Sequence, residues 1–487
     1  MRPTGLCAAI LLASTFAASA ADLPVKYKAP PPALWSWSGL YGGVNAGYSF
    51  GRDSFSQDLL SAGLTQQLPG RVLPTGGIFG GQVGYNWQVG RFVWGLEGDL
   101  QWSGQRGDAC GGDTCTQNFN TEVAAALFRH EIQWFTTARG RVGFANGGTL
   151  LYLTGGAAWA GVKDTASEQR DDAIATSIVR SVVGGWAFGG GIEGQLSQAW
   201  TVKLEYLHLD LGGANSTARY AAATPLIGFD MVNSTHSRYT DNIVRVGVNH
   251  RLLEGPATGV PQTDPAMLAW RWSGLYAGLN AGYGVGNTTF RQFNFIDPAI
   301  PPAAGELTHY ISSFAPQRFS PEGAIAGGQF GYNWQLDRVV FGLEGDAQWS
   351  GQKDTACADT CVVPGFIDKV TQRFNWFGTV RGRLGWAERG YLLYITGGAA
   401  FAEIEETDEF GGLVSNIKRT KTGWVAGGGL EAWLTGRWTG KVEYLHADLG
   451  NFSNDFPTGT PFFVSFGTRS SVRNDIVRVG LNYKLLD

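Results

Sequence analysis

Hydrophobic and polar residues alternate one by one along much of this chain. Trp94, Leu96, Gly98, Leu100 and Trp102 fall on one side of a period-two pattern, with Gly95, Glu97, Asp99 and Gln101 on the other. Trp200, Val202, Leu204 and Tyr206 oppose Thr201, Lys203 and Glu205, and Val244, Val246 and Val248 oppose Arg245, Gly247 and Asn249. Successive side chains of a strand point to opposite faces, so each run predicts a strand with one apolar face. Eight such strands are expected near 38–49, 77–88, 92–103, 132–144, 149–160, 182–194, 199–210 and 241–252. Each is about ten residues long, the length of a tilted strand crossing a bilayer. Soluble sheets more often use strands of about five or six.

The connections alternate in length. Strands two and three, four and five, and six and seven are joined by short turns at Val89-Gly90-Arg91, Asn146-Gly147-Gly148 and Ser197-Gln198. The other connections run to roughly twenty or thirty residues. Short turns at one end and long loops at the other are the pattern of outer-membrane barrels, the short end being periplasmic.

The same unit is written twice. Gly80-Gly81-Gln82-Val83-Gly84-Tyr85-Asn86-Trp87 returns as Gly327-Gly328-Gln329-Phe330-Gly331-Tyr332-Asn333-Trp334. Arg139-Gly140-Arg141 returns as Arg381-Gly382-Arg383, and Glu205-Tyr206-Leu207-His208 as Glu443-Tyr444-Leu445-His446. A period this long is a domain duplication rather than a solenoid.

With the apolar face outward, the inward face of the first copy carries Glu97, Asp99, Glu193 and Glu205 against Arg139, Arg141, Lys203 and Arg245. The second copy carries Glu344, Asp346, Glu431 and Glu443 against Arg381, Arg383, Lys441 and Arg478, the same residue at every position. Both sets sum to zero. A balanced set suits a narrow barrel filled by ion pairs, and Gly43, Gly47, Gly84, Gly143 and Gly191 leave room for the long side chains. On the other face Trp94 and Trp102 are separated by roughly 19 Å along the membrane normal at ordinary strand rise and tilt. That places them at the two edges of an apolar band, with Tyr48, Tyr85, Trp87, Trp186, Trp200 and Tyr206 completing the aromatic belts.

Composition narrows the classes further. Glycine is 71 of 487 residues, aromatics are 13% and charged residues only 16%. Gly weakens helix interiors, which argues against an ordinary helical enzyme. The net charge of −4 offers no basic excess for nucleic-acid phosphates, so no nucleic acid is expected as a partner. Arg2, the apolar run Leu6–Phe16 and Ala18-Ser19-Ala20 read as a secretory signal. The expected organisation is a signal peptide over 1–20 cleaved after Ala20, a periplasmic leader over 21–36, a first barrel over 37–252, a periplasmic linker over 253–271 and a second barrel over 272–487. The fold class is therefore all-β, with two tandem eight-stranded transmembrane barrels. A single sixteen-stranded barrel with a water-filled pore is the alternative, since the last strand of either copy could close on the first strand of either.

At these motifs the chain resembles the small porin-family outer-membrane proteins of alphaproteobacteria, the major surface antigens of rhizobia and their relatives. The carriers are Trp37-Ser38-Gly39-Leu40-Tyr41, the Gly-Gln-Val-Gly-Tyr-Asn-Trp strand, Gly95-Leu96-Glu97-Gly98-Asp99, Arg139-Gly140-Arg141-Val142-Gly143 and the closing Val477-Arg478-Val479-Gly480-Leu481-Asn482-Tyr483. The resemblance covers nearly all of 21–487, twice over, whereas the family usually has one barrel per chain. It implies eight-stranded barrels, residence in the outer membrane, and roles in envelope integrity and surface contact. Outer-membrane lipids, lipopolysaccharide and the barrel-insertion machinery are the partners expected.

Candidate chemistry is thin. Cys110 with Cys115, and Cys357 with Cys361, read as local disulfides in exported loops, since no His lies beside either pair for a metal. His208-x-Asp210 recurs as His446-x-Asp448, a pair that could orient a general base in a membrane hydrolase or simply end a strand in the headgroup zone. Gly189-x-Gly191-x-x-Gly194 matches a dinucleotide fingerprint but sits inside a strand with no helix after it. No cofactor, metal or catalytic residue is expected.

Overall fold

The computed structural model describes residues 35–61, 64–110, 117–119, 122–170, 173–220, 231–259, 265–296, 317–357, 368–388, 390–410, 413–456 and 464–487. The expected signal peptide and most of the leader lie outside them. So do Cys115 and Cys361, and the side chains of Cys110 and Cys357, so the disulfide expectation falls outside the described part of the molecule.

The first barrel is built from β1 (Gly39–Gly51), β2 (Thr75–Val89), β3 (Phe92–Cys110), β4 (Glu122–Asn146), β5 (Thr149–Arg170), β6 (Ala173–Gln195), β7 (Trp200–Tyr220) and β8 (Met231–Glu254). Each pairs antiparallel with the next, and β8 returns to β1 with Val44 opposite Val248. The second comprises β9 (Gly274–Ile296), β10 (Glu322–Leu336), β11 (Val339–Ser350), β12 (Asp368–Glu388), β13 (Tyr391–Phe410), β14 (Leu413–Thr435), β15 (Trp438–Phe456) and β16 (Val464–Leu486). Its ring closes between β9 and β16, with Leu279 opposite Leu481. Each copy closes on itself, so the single sixteen-stranded barrel is excluded. Closure leaves no unpaired edge, which a strand inside hydrocarbon cannot tolerate.

Three tight turns close one end of each barrel. Gly90 and Gly147 take positive φ there, as do Asp337, Gly390 and Gly436 in the second copy, which reverses the chain within two residues. At the opposite end the strands outrun the expected ten residues and reach 25 in β4. Much of what reads as long loop is strand continuing past the membrane, and a further hairpin, Asp53–Ser61 with Leu64–Val72, extends from β1.

Strand β7 shows why the extension is stable. Its outward face runs Trp200, Val202, Leu204, Tyr206 and then His208, Asp210, while its inward face runs Thr201, Lys203, Glu205 and then Leu207, Leu209, Leu211. The polarity of the two faces inverts near Tyr206. Below that level hydrocarbon surrounds a polar interior, and above it water surrounds an apolar one. Leu207, Leu209 and Leu211 pack there with Ile132, Phe135, Val162 and Ile243 in a buried core. The second barrel inverts in the same place, with Leu445, Ala447 and Leu449 in its own core.

Two described stretches of the linker carry local structure. Ala257 and Thr258 pair in parallel with Gln88 and Val89 of β2, and a short helix α1 (Pro265–Leu268) places Met267 against the turn at Gly390.

Candidate functional site

Among the described residues, buried ionised side chains are concentrated in the interior of each barrel at membrane level. They come together because the inward residues of β3, β4, β6, β7 and β8 meet across a narrow lumen, where Gly84 and Gly191 give the space that Tyr41 and Tyr152 occupy.

Arg139 stands at the centre of the first barrel. It donates to Glu97 at 2.6 Å, to Asp99 at 3.0 Å and to Glu205 at 3.1 Å. Arg245 bridges Glu205 at 2.7 Å and Asp99 at 2.8 Å, and Lys203 holds both oxygens of Glu97 at 2.8 and 2.9 Å. Arg141 reaches Glu193 at 2.8 Å and stacks 4.1 Å from the ring centre of Tyr152. The second barrel repeats this construction. Arg381 donates to Glu344 at 2.5 Å, to Asp346 at 2.8 Å and to Glu443 at 2.9 Å. Arg478 bridges Glu443 at 2.7 Å and Asp346 at 2.9 Å, Lys441 holds Glu344, and Arg383 reaches Glu431 at 2.7 Å. Fifteen of the sixteen residues are buried, and the side chain of the remaining one, Asp346, is enclosed as well. Multiple charge-assisted hydrogen bonds per ion offset the desolvation of each charge.

Sequence reasoning missed the tyrosines. Tyr41 donates to Glu97 at 2.8 Å and accepts from Arg141 at 2.9 Å, and Tyr152 donates to Glu205 at 2.9 Å. Tyr276 and Tyr394 do the same for Glu344, Arg383 and Glu443. The signal was available, because Tyr41 shares the inward phase of Gly43 and Asn45 and recurs as Tyr276. Aromatics are easily assigned to the lipid face by type rather than by phase.

Outside, the apolar positions face the surroundings. Trp94 is 53% exposed, Trp102 64% and Val246 47%, against 4% or less for Glu97 and Arg139. Tyr48, Trp87, Trp186 and Trp200 are exposed as well.

Two more layers complete each interior. At the turn end the first barrel has a floor: Trp37 donates its backbone N–H to Gln88 at 2.7 Å and its indole N–H to the Gly147 carbonyl at 3.1 Å, and Arg251 lies 3.9 Å from the Trp35 ring centre. Trp272, Gln335, Trp270 and Lys484 build the second floor. At the loop end of the first barrel, beyond the aromatic belt, His130 is clamped between Asp164 at 2.5 Å and Asp53 at 3.0 Å, and Tyr239 donates to Asp164 at 2.9 Å. Burial pushes the Asp53 carboxyl up to about 7. Burial alone would lower His130, but Asp53 and Asp164 outweigh it and the imidazole is raised. Both shifts make this layer hold a proton more firmly than the free side chains do.

The His-x-Asp motifs do not form pairs. His208 Nδ1 meets Asn242 at 2.9 Å and His446 Nδ1 meets Asp475 at 2.7 Å. Asp210 and Asp448 instead accept from the Gly212 and Gly450 backbone and from Arg238 and Arg473. Adjacent strand residues two apart lie side by side rather than joined, and each histidine packs outside the barrel beside Trp186 or Trp424. Among the described residues no cluster of three or more His, Cys, Asp or Glu side chains is arranged to hold a metal ion.

The family model for the outer membrane protein β-barrel domain matches residues 8–250 and again 256–484. The 31 kDa outer-membrane immunogenic protein of Brucella melitensis is 35% identical over 219 residues, covering 44% of this chain and 83% of that protein. The 25 kDa outer-membrane immunogenic protein of Brucella abortus is 29% identical, covering 46% of this chain and 84% of that protein. The 22 kDa outer membrane protein of Rhizobium leguminosarum bv. viciae is 32% identical, covering 28% of this chain and 57% of that protein.

Proposed function

The chain belongs to the outer membrane protein β-barrel domain family, twice over, and resides in the bacterial outer membrane; from that premise we propose that it is a structural and surface-contact protein rather than a solute channel. The observation that carries this reading is the pair of ion-filled waists. At Arg139 and Arg381 the lumen is occupied by side chains whose donors are committed to neighbouring carboxylates. A solute on the axis would have to separate buried ion pairs, which costs about 3–5 kcal/mol for each charge left alone. The floors at Trp37 and Trp272 add a second obstruction.

What the barrels present to the outside is their extended strands and connections. Relatives named immunogenic are consistent with surface display of those segments. Outer-membrane lipids and lipopolysaccharide contact the exposed belt, and the barrel-insertion machinery handles the chain during assembly. No catalytic role is part of this reading, because the waist carboxylates are held in ion pairs and the outward histidines are not joined to their neighbouring aspartates.

A deletion strain tests it. Loss of the protein should raise sensitivity to detergent and to large antibiotics normally held out by the outer membrane. The parent chain should restore resistance, without changing uptake of small sugars. Unchanged sensitivity together with slowed sugar uptake would overturn the structural reading in favour of transport.

A further inference from the structure

Part of the lipid-facing belt never meets lipid. Leu96 and Leu100 on β3 are each 62% exposed, yet Phe50, Ile192, Leu204 and Val244, which also point outward, are buried at 8% or less. They pack against Val285, Leu430, Val442 and Tyr391 of the second barrel, with Tyr206, Tyr444 and Val477 beside them. Apart from Tyr391, whose counterpart is Thr149, these residues fall at matching positions in the two copies. In the repeat, Phe50 corresponds to Val285, Ile192 to Leu430, Leu204 to Val442, Tyr206 to Tyr444 and Val244 to Val477. The cross-contacts are reciprocal as well: Tyr206 is close enough to Tyr283 to interact electrostatically, and Tyr444 to Tyr48, which is the residue corresponding to Tyr283. A surface that meets its own equivalent, residue i to j and j to i, is a twofold interface.

We propose that the tandem chain is a tethered pseudo-twofold dimer, whose two barrels are locked side by side through homologous faces, and that charged residues outside the membrane restrict the pairing to one first and one second barrel. The apolar seam cannot supply that lock by itself, because lipid chains are as apolar as the side chains they replace. Polar contacts at the two ends can. At the loop end Arg52 pairs with Glu322 and with Asp354 at 3.1 Å, and Arg71 pairs with Asp354 at 2.6 Å. At the turn end the Tyr391 hydroxyl donates to the Gln195 carbonyl at 2.7 Å, and Asn146 donates to the Leu434 carbonyl at 3.1 Å.

The loop-end contacts are where the symmetry breaks. Arg52 corresponds to Asn287, Glu322 to Thr75 and Asp354 to Gly107. Two first barrels placed face to face would set Arg52 opposite Thr75 and Gly107. Two second barrels would set Asn287 opposite Glu322 and Asp354, removing the partner that Arg52 provides, although position 318, which corresponds to 71, is also an arginine. Only the unlike pair sets Arg52 opposite both Glu322 and Asp354, and specificity arises from what the like pairs lose as much as from the attraction.

The test uses the full-length protein with a protease site placed within residues 260–264. After insertion and cleavage, the two barrels should stay together in mild detergent and in lipid nanodiscs. The combined reversal Arg52→Glu and Arg71→Glu should raise dissociation roughly tenfold, as expected for losing two or three partly exposed pairs and gaining repulsion. Adding Glu322→Arg and Asp354→Arg should restore the pair. Heat-modifiability on gels reports folding of each barrel throughout. If the reversal prevents folding, Arg52→Gln with Arg71→Gln takes its place with a smaller expected effect. Separation of the unmutated barrels after cleavage would overturn the dimer, and pairing indifferent to reversal and restoration would overturn the charge lock.

Discussion

At membrane level the two barrels share the same ion pairs and tyrosine contacts, while one layer further out they part. The waist of each uses the same four acids, four bases and two tyrosines. Beyond the aromatic belt the first barrel holds His130 between Asp53 and Asp164, with Asp241 and Tyr239 near it. The corresponding positions in the second are Gln372, Thr288, Glu406, Asn474 and Val472. Thr288 donates to Gln372 at 2.8 Å, and Asn474 donates to Gln352 at 3.1 Å. Two amides, a hydroxyl and a valine stand where the first barrel has its imidazole, two of its carboxyls and its tyrosine, while Glu406 keeps a carboxyl at the position of Asp164. In hydrocarbon, an ion cannot lose its partner and find water instead, so the waist is fixed as a set. Above the membrane, water is near and a charge network can be replaced residue by residue.

That contrast predicts equal and large effects at the waist. Arg139→Ala and Arg381→Ala should each destabilise their own barrel by about 3–5 kcal/mol, since each leaves three carboxylates short of a partner. Heat-modifiability of each half after linker cleavage reads this directly. A markedly smaller loss in one barrel would break the claim that the two waists are equivalent.

An intermediate effect belongs to the divergent layer. His130→Gln places the second barrel's residue in the first, but without Thr288 opposite it. The change should cost about 1–3 kcal/mol by leaving buried carboxylate oxygens unsatisfied. The reverse change, Gln372→His, should show no comparable gain.

The smallest effect is on pH. Asp53 and His130 are both raised in the folded protein. A group with a raised folded pKa stabilises the fold below its unfolded value, and that contribution is lost as pH rises through the folded value. For Asp53 the window runs from the ordinary aspartate range near 4 up to about 7. For His130 the loss continues above about 6.5. The first barrel should therefore unfold at higher temperature at pH 5 than at pH 8, and His130→Gln should flatten the part of that difference due to the imidazole. An opposite slope in the first barrel would contradict the assignment.

The waist was legible because two independent signals agree there, a period of two and identity between copies. Glu97, Arg139 and the rest keep inward phase along their strands, and phase survives any uncertainty about where a strand ends. The extent of the strands was less legible. In β7 the alternation continues through Leu207, Leu209 and Leu211, but its sign flips because the outside changes from hydrocarbon to water. A reading that expects the apolar face to stay outside ends the strand at Asp210. The His130 cluster was not legible at all, since Asp53, His130, Asp164 and Asp241 come from four separate stretches of chain brought together only by ring closure. A β-bulge at Gln133 also resets the phase that brings His130 inward. The seam between the barrels was hidden for a different reason: its residues look like any others of the lipid-facing belt.

The account rests on two closed barrels with occupied axes, and planar-bilayer recording of the purified, heat-modifiable protein tests that most directly. The expected record is free of stable conductance steps, and Arg139→Ala combined with Arg381→Ala introduces small, unsteady ones. Long-lived nanosiemens steps from the unmutated protein would contradict it.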